Sequence, residues 1–364
     1  MFLKKITIEN FRVLKDVEIE FEKEFTPTIF PLGSLNGGGK STLLQLVFIL
    51  LHCSFKQERH QYLVNLLSTL NDTVTTLAKF DIYYENKEFY LEFIVSHNPY
   101  YEDEFGEFHT FQYSDEYDFL RKQSSEELYI ASTGNETTLL CKTNLNDTNI
   151  LPKLSDKVYL AAPTTQVFLF LSKQEKEGLF SKENIINYVN NMNVAKEKLT
   201  GFFPYYFAPT DLIIKTFEKA RDKDFNCALK NGKYGDNLKK LTTELNNFFN
   251  DKTITVNEQL SSIIFKLKND NKELLPEDLS HGELKKLSIY IWLKYYDIED
   301  SLVLIDEIET GLHPDWQYEI VNELQEWGKN NQFILATHSY ELCQALTPSH
   351  VKELEPKLMN SKKI

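Results

Sequence analysis

The amino-acid sequence predicts an α/β fold with a mixed sheet, and three observations support this prediction. Near the start of the chain, an apolar segment (Phe25 to Leu32) leads into a glycine-rich turn, and a buried helix (Thr42 to Cys53) follows. From Glu283 onward, strand and helix patterns alternate, which is typical of a parallel sheet with crossover helices. Other segments alternate apolar and polar residues, which predicts an antiparallel β subdomain.

The composition limits the class of protein. With 364 residues, of which 42% are hydrophobic, the chain is long enough to bury a large core. Its formal net charge of -14 argues against a protein that coats nucleic acid or an anionic membrane by bulk electrostatics. Nucleic acid is therefore a possible partner only through a local basic patch.

The spacing of the cysteines and the length of the apolar runs both favour a cytoplasmic location. The chain has four cysteines, which lie far apart in the sequence: Cys53, Cys141, Cys227 and Cys343. This spacing indicates neither a zinc site nor a disulfide framework. The amino terminus reaches polar residues too early for a signal peptide. The longest apolar run, Leu43 to Leu51, is about half of the roughly 20 residues that a membrane-spanning helix needs. We expect a cytoplasmic protein without membrane association.

The predicted antiparallel subdomain begins with two pairs of strands. The first pair is Ile6 to Phe11 and Val17 to Phe21, and the second pair is Phe80 to Tyr84 and Phe89 to Val95. Residues from about Asn98 to Glu127 are rich in Asp, Glu and Tyr, and they are expected to form exposed loops and hairpins.

A lysine-rich helical region is predicted from about Ser181 to Asn269. Glycine and proline interrupt it at Gly201, Pro204, Gly232 and Gly235. Because a long coiled coil needs uninterrupted heptads, a compact helical insertion is expected instead. The predicted organisation is an amino-terminal lobe with the glycine-rich turn and the β subdomain (1–180), a helical insertion (181–270) and a carboxyl-terminal lobe (271–364).

The glycine-rich turn has the composition of a phosphate-binding loop. Residues 34–42 read S-L-N-G-G-G-K-S-T, between a strand and a helix, where backbone N–H groups and the helix dipole favour anions. In this pattern the lysine reaches the β- and γ-phosphates of ATP and the serine hydroxyl binds Mg²⁺. The predicted ATP-binding residues are Asn36, Gly37, Gly38, Gly39, Lys40, Ser41 and Thr42. Ser34 replaces the usual first glycine, with Gly33 one place earlier, so the entry to the turn is expected to differ.

Two strand ends near the carboxyl terminus carry candidate catalytic residues. The apolar strand Leu302 to Asp306 is followed by Glu307, which brings carboxylates to the edge where open α/β sheets bind ligands. We expect Asp306 to hold Mg²⁺ and Glu307 to orient or deprotonate the attacking water. The next strand, Gln332 to Ala336, leads to His338, whose imidazole could donate to the γ-phosphate.

The segment Leu279 to Glu283, which reads L-S-H-G-E, precedes a predicted helix from Leu284 to Tyr295. Ser280 and the N–H groups at the helix start could bind a phosphate. Ser280 with Glu283 three residues later is also a capping box. Since the acid-ending strand follows, the phosphate-binding interpretation is favoured.

Taken in this order, the motifs resemble those of the ATP-binding-cassette ATPases, and among them the SMC-like branch of soluble heads. The segment Ile8 to Arg12 (I-E-N-F-R) is similar to the opening strand and turn of RecF-type and SMC-type heads. Asp306 to Pro314 (D-E-I-E-T-G-L-H-P) is similar to the D-E-P-E-x-G-L-H-P stretch of the overcoming-lysogenization-defect family of antiphage defence, with Ile308 in place of proline. The resemblance covers Lys5 to about Glu341 and leaves the helical insertion unmatched.

The resemblance implies a role for each matching residue. Lys40 and Ser41 are implied for phosphate and Mg²⁺, Asp306 and Glu307 for metal and water, and His338 as the γ-phosphate switch. The implied signature residues, which act in trans, are Ser280, Gly282 and Glu283, and Arg12 is implied in ATP binding. Gln166 is the candidate for the glutamine that touches both Mg²⁺ and the water. Gln112 is the competing candidate, and either glutamine could be an ordinary turn residue.

The same resemblance implies partners. Heads of this kind form a two-fold homodimer around ATP, and a higher oligomer is an open alternative. Only Ser339 to Ile364 follow His338, which is too short for a nuclease domain. By analogy with stand-alone defence ATPases of the Septu, retron-associated and PARIS kinds, we expect a separate effector protein, either a nuclease or a toxin.

The sequence also allows three other functions: a DNA repair ATPase, a transporter subunit and a protein in which ATP is only structural. A RecF-like DNA repair or recombination ATPase would need a basic patch, for which the candidates are Lys215, Lys219, Lys230, Lys233, Lys239 and Lys240. A transporter subunit ranks lower, because Glu283 and Glu309-Thr310-Gly311 stand where transporter subunits have glutamine and an S-A-L-D stretch. ATP could also act only as structural glue, although the presence of Glu307 argues against this.

Overall fold

The fold is described from a computed structural model of the chain. The residues that the structure describes are 1–34, 36–70, 76–96, 100–102, 108–110, 127–133, 137–178, 185–205, 210–249, 251–257 and 263–354.

Seventeen strands lie within these residues. In chain order they are β1 (Phe2–Phe11), β2 (Leu14–Glu20), β3 (Ile29–Gly33), β4 (Thr76–Tyr84), β5 (Lys87–Ser96), β6 (Tyr100–Glu102), β7 (Phe108–Thr110), β8 (Glu127–Thr133), β9 (Thr137–Thr143), β10 (Val158–Pro163), β11 (Phe202–Tyr205), β12 (Lys252–Val256), β13 (Ile263–Leu267), β14 (Glu273–Leu274), β15 (Leu302–Asp306), β16 (Gln332–Ala336) and β17 (Lys352–Glu353).

Ten α-helices lie within the same residues. They are α1 (Lys40–Phe48), α2 (His60–Leu67), α3 (Leu151–Ser155), α4 (Lys173–Gly178), α5 (Ile185–Lys198), α6 (Thr210–Asn231), α7 (Asn237–Phe248), α8 (His281–Tyr295), α9 (Pro314–Trp327) and α10 (Tyr340–Gln344). Among the described helices, none is both long and apolar enough to cross a lipid bilayer.

Backbone packing divides the chain into two compact units. The first unit comprises Met1–Pro204, Asp300–Ile308 and Asn330–Ile364, and the second comprises Tyr205–Glu299 and Glu309–Lys329. The division into 1–180, 181–270 and 271–364 stays a prediction.

The first unit contains a six-stranded sheet with the order β11-β10-β15-β16-β3-β17. The pairings from β10 through to β17 are all parallel. Every residue of β15 and β16 is buried, as expected for parallel strands that are covered on both faces. Asp306 pairs with Ala336, and Ala336 pairs with Leu32. The carboxyl ends of three strands that are far apart in the sequence therefore meet at one edge.

Helix α1 follows β3 and continues into a π-helical turn, Ile49–Cys53. The predicted buried helix is thus observed, and the π-helical turn is buried throughout. A helix that is apolar on all sides belongs inside a core. Here α1 anchors the loop that precedes it.

The first unit also contains an antiparallel six-stranded sheet with the order β2-β1-β4-β5-β9-β8. Alternating burial in β2 and β4 fits the alternating sequence pattern that predicted this subdomain. The region predicted as loops and hairpins from Asn98 to Glu127 contains the small β6–β7 pair, and most of its remainder lies outside the described residues.

The second unit combines helices with a small sheet. Helices α6 and α7 form a hairpin, in which Asp224 of α6 accepts hydrogen bonds from the backbone N–H groups of Asn237 (2.8 Å) and Leu238 (2.9 Å) at the start of α7. Strands β12, β13 and β14 form an antiparallel sheet. The expectation that residues up to Asn269 would be helical is wrong for 252–256 and 263–267, which are strands. Buried Ile254, Ile263 and Phe265 alternate there with less buried neighbours such as Thr253 and Ile264, a two-residue period typical of strands.

These features confirm the predicted α/β fold class. A glycine-rich loop joins β3 to α1 beside parallel strands, an antiparallel β subdomain shares the first unit, and helices dominate the second.

Candidate functional site

The phosphate loop, defined here as Ser34–Lys40, connects β3 to α1. Gly37 (φ 79°) and Gly39 (φ 91°) both have left-handed backbone, which favours glycine. A Cβ on Gly39 would also lie 2.6 Å from Leu14 and 2.8 Å from Val13 of the β1–β2 turn. Gly39 is the N-cap of α1 and provides no side-chain hydrogen bond to it. The start of the helix is therefore suited to bind an anion through backbone N–H groups. Leu35 lies outside the described residues.

Lys40 connects the phosphate loop to His338. Its Nζ donates to the carbonyl oxygen and to the Oγ of Ser34, both at 3.2 Å, and lies 3.4 Å from Nδ1 of His338. Only 6% of Lys40 is exposed. Ser34, which departs from the usual loop pattern, thus contributes a side-chain acceptor that glycine would lack.

Ser41 and Asp306 form the candidate Mg²⁺ site. The Ser41 hydroxyl donates to Oδ1 of Asp306 at 3.0 Å, although the two residues are 265 positions apart. Asp306 ends β15 and is 2% exposed. A hydroxyl and a buried carboxylate at hydrogen-bond distance are the hard oxygen ligands that Mg²⁺ prefers, so the residues present fit the ion.

Glu307 follows Asp306 with a left-handed backbone (φ 50°). Its N–H donates to the carbonyl of Ala336 at 2.9 Å, which extends the pairing with β16 by one bond. This conformation turns the chain sharply at the strand end, and it is sparsely populated by residues other than glycine. The side chain is half-buried.

Gln166 lies in a 3₁₀ turn (Thr164–Gln166) after β10. Its backbone carbonyl accepts a hydrogen bond from the Gln45 side chain of α1, and Gln45 Oε1 accepts from the N–H of Leu169 at 3.3 Å. Buried Gln45 therefore attaches the Gln166 segment to the helix that carries Lys40 and Ser41. Gln112, the competing candidate, lies outside the described residues.

Gln45 interrupts the apolar run from Leu43 to Leu51 and was not among the predicted site residues. A single amide within a buried helix is a signal that could have identified it, because buried amides need partners.

Arg12 occupies the turn between β1 and β2, with φ 57°. Its guanidinium lies 5.4 Å from the centre of the Phe11 ring, and Nη2 donates to Thr69 Oγ1 at 3.5 Å. Burial lowers the pKa of Arg12. Since the next two residues contact Gly39, Arg12 lies beside the phosphate loop.

The signature corner, defined here as Ser280–Glu283, belongs to the second unit. Ser280 caps α8 by accepting from the N–H of Glu283 at 3.3 Å, and Glu283 Oε2 accepts from the N–H and the hydroxyl of Ser280, both at 2.9 Å. The capping box, which was the alternative interpretation of this segment, is thus observed, and phosphate binding stays a prediction. Lys252 pairs with Glu283 at 2.7 Å. Partial burial acts to raise the pKa of Glu283, but the hydrogen bonds from Lys252 and Ser280 hold it below its ordinary value.

Gly282 has a steric role in the signature corner. A Cβ at this position would lie 2.6 Å from the carbonyl oxygen of Gly311, so the backbones of α8 and of the Glu309–Pro314 segment approach closely. The Lys285 ammonium also donates to the carbonyl of Thr310 at 3.2 Å. The signature corner and the Glu309–Pro314 segment, which belong to separate sequence motifs, are therefore packed together.

The structure thus groups the predicted site residues in two sets. Lys40, Ser41, Asp306 and His338 are linked by direct contacts in the first unit, where Glu307, Gln166 and Arg12 also lie. Ser280, Gly282 and Glu283 lie together in the second unit.

Comparison with known proteins identifies relatives of the chain. It is similar to the "Retron Ec83 probable ATPase" of Escherichia coli, with 43% identity over 51 residues, which are 14% of this chain and 9% of that protein. It is also similar to the "Septu protein PtuA" of Bacillus mycoides (strain KBAB4), with 26% identity over 203 residues, which are 51% of this chain and 27% of that protein. The matched parts thus span less than a third of either relative.

Among solved structures, the chain is similar to the "SMC head domain from Thermotoga maritima", with a TM-score of 0.43 and 13% identity over 95% of this chain and 93% of that one. The retron and Septu relatives confirm the predicted resemblance to defence-associated ATPases. Residues 35–344 match the family described as "AAA domain, putative AbiEii toxin, Type IV TA system". Since this match covers most of the sequence, the chain belongs to that AAA-domain family.

Proposed function

We propose that this protein is an ATP-binding and ATP-hydrolysing switch of bacterial antiphage defence that controls a separate effector protein. The observation that carries the proposal is the set of direct contacts among Lys40, Ser41, Asp306 and His338, which come from three distant segments of the chain. The similarity to retron and Septu proteins supports the role in defence.

In the proposed reaction, water attacks the γ-phosphorus of ATP, the bond to the β–γ bridging oxygen breaks, and ADP and phosphate leave. Backbone N–H groups of Gly37 to Gly39 and the Lys40 ammonium bind the phosphate oxygens. Lys40 must give up its hydrogen bonds to Ser34 to do so. Bound Mg²⁺, held by Ser41 and Asp306, would neutralise charge on the phosphates.

Two residues are assigned to the chemical step. The Glu307 carboxylate orients the attacking water and accepts its proton, and His338 donates to an oxygen of the γ-phosphate. Gln166 is assigned to contact the metal and the water, and Arg12 to contact the nucleotide. Asn36 of the phosphate loop and Thr42 of α1 complete the lining of the proposed nucleotide site.

The signature corner is proposed to act in trans. Ser280, Gly282 and Glu283 of one copy would approach the nucleotide that is bound by a second copy, forming a two-fold homodimer around ATP. In the capping box the Ser280 hydroxyl donates to Glu283, so it must redirect that donor to bind a phosphate. Nucleotide binding and a local rearrangement are thereby coupled.

One observation favours the switch over direct action on DNA. Among the lysines suggested as a basic patch, Lys219 pairs with Asp297 and Lys240 with Asp236, each at 2.9 Å. Carboxylates thus offset part of the positive charge that DNA binding would need.

The test of hydrolysis is Glu307→Gln. We expect turnover to fall by about 10²- to 10⁴-fold, because a positioned general base contributes that much, while MgATP still binds and the dimer becomes more stable. Phosphate release and size-exclusion chromatography measure these effects, and Glu353→Gln, an exposed residue of β17, is the control. Unchanged turnover in the Glu307 variant would show that Glu307 is not the general base, and a wild type that binds ATP without releasing phosphate would show that ATP has only a structural role.

The test of the effector is co-purification of the tagged protein from cells that carry its own locus. We expect a second polypeptide whose retention changes between ATP and ADP. Recovery of the protein alone in both nucleotides would contradict control of a separate effector.

A further inference from the structure

We propose that Lys176 and Arg12 form a second phosphate-binding pair beside the phosphate loop, in which Lys176 is a nucleotide-binding residue that the motifs do not reveal. The inference rests on the proposed function, because the anion that it assigns is a phosphate group of the bound nucleotide.

The first observation is that the Lys176 ammonium is buried and, within the described part of the chain, has no hydrogen-bond partner. Lys176 lies on α4, and its Nζ has no acceptor among the residues that the structure describes. An ammonium group has three donors, and leaving buried donors unsatisfied is unfavourable. Most buried polar groups in folded proteins are paired, so an exception calls for an explanation such as an absent ligand.

The second observation concerns the charges that act on Lys176. Burial is the largest cause that lowers its pKa, to about 8, and the positive charge of Arg12 lowers it further, while Glu175 raises it. The Glu175 carboxylate already accepts from the N–H of Ser172 at 2.7 Å. Two cations thus share a partly desolvated region with one carboxylate that has another partner, an arrangement that an added anion would stabilise.

The third observation is the location of the pair. Arg12 directly precedes Val13 and Leu14, whose side chains leave no room for a Cβ on Gly39. The side chain of Arg12 donates only a long hydrogen bond, 3.5 Å, to Thr69 among the bonds described for it. Arg12 therefore lies beside the loop that is proposed to bind phosphate, and Lys176 is close enough to Arg12 for the two charges to interact. A phosphate group is the anion expected there.

The experiment measures binding of the non-hydrolysable analogue AMPPNP with Mg²⁺ by calorimetry. In Lys176→Met we expect about tenfold or weaker affinity, because a hydrogen bond to a charged group contributes on that scale. Lys176→Arg should retain most of the affinity. Lys173→Met, an exposed lysine on the same helix, is the matched control and should bind as the wild type does.

A pH series gives a second readout that a structural role would not produce. Below about pH 8 Lys176 is charged in the free protein, and above that pH it must take up a proton to bind an anion. Affinity of the wild type should therefore weaken as pH rises from 7 to 9. Lys176→Arg, which stays charged throughout, should lose this dependence.

Thermal unfolding separates binding from folding. Removing an uncompensated buried cation should leave the free protein as stable as the wild type or stabilise it, so Lys176→Met should lower the Tm only in the presence of the nucleotide. A lower Tm of the free variant would indicate a structural lysine and overturn the inference.

Lys40→Ala distinguishes the inference from the proposed function. If Lys40→Ala loses AMPPNP while Lys176→Met binds with unchanged affinity and unchanged pH dependence, the inference fails and the proposed function stands. If Lys40→Ala also binds as the wild type does, the proposed nucleotide site itself fails.

Discussion

The phosphate loop and the signature corner are held together by different kinds of contact. Around the phosphate loop, Lys40 meets His338 and Ser41 meets Asp306 across most of the length of the chain. At the signature corner, Ser280 and Glu283 bond to each other within one helical turn. The first site is assembled by the fold before any nucleotide arrives, whereas the second satisfies its own polar groups locally. If the signature corner binds a phosphate as proposed, it must first exchange these bonds.

The largest expected effect comes from Asp306→Asn, which tests the site that the fold assembles around the phosphate loop. Asparagine can still accept from Ser41, but it removes the charge that would hold Mg²⁺, so turnover should fall by more than about 10²-fold. Phosphate release is measured across a range of Mg²⁺ concentrations. The control is Asp300→Asn, where Asn tolerates the left-handed backbone (φ 50°) as Asp does. Full activity of Asp306→Asn would show that the contact with Ser41 is not a metal site.

A smaller effect is expected from Gly282→Ala at the signature corner. The added Cβ would lie 2.6 Å from the carbonyl of Gly311, so the two backbones must separate, at a cost of about 1–3 kcal/mol. Thermal unfolding should show this loss, and turnover should fall at every protein concentration. Gly232→Ala is an informative comparison, because nothing lies within 4 Å of the Cβ position of Gly232, whose left-handed backbone (φ 72°), which Gly282 lacks, is then the cause of any loss. Equal stability of Gly282→Ala and the wild type would mean that the close contact with the Gly311 carbonyl does not stabilise the signature corner.

The smallest expected effect concerns acid sensitivity of the capping box. The folded pKa of Glu283 is below its ordinary value of 4.5, so its contribution to stability is present above that pH and is lost as pH falls through the folded pKa. Glu283→Gln should therefore be less stable than the wild type at pH 7, by about 1 kcal/mol, and the difference should shrink toward pH 3. Thermal unfolding at both pH values measures it. A difference that grows in acid would contradict the assigned role of Lys252 and Ser280.

The parallel strands were predictable from sequence because burial on both faces leaves continuous apolar runs. Leu302–Asp306 and Gln332–Ala336 are observed at their predicted bounds. The carboxyl ends of parallel strands lie at the same edge of the sheet. Asp306 and His338 could therefore be assigned to one site from the sequence alone.

Other features depend on contacts that no local pattern encodes. Strands β12 and β13 are short, and each has only two or three alternating apolar residues inside a longer region that is otherwise helical and rich in lysine. Gln45 holds the Gln166 segment across 121 positions, and the partner of a lone amide cannot be deduced from its own neighbours. Ser34 was predicted to alter the loop, but its contact with Lys40 required the folded geometry.

The left-handed backbone of Glu307 is unfavourable for folding, which bears on why a glutamate occupies this position. Glycine, asparagine or aspartate would occupy that conformation at less expense, and a glutamate there costs about 1–3 kcal/mol of folding free energy. A glutamate that is kept directly after a buried strand in spite of this penalty fits the proposed role of its carboxylate as the general base. Glu307→Asp, which shortens the side chain by one methylene, should therefore raise the free energy of unfolding and lower turnover.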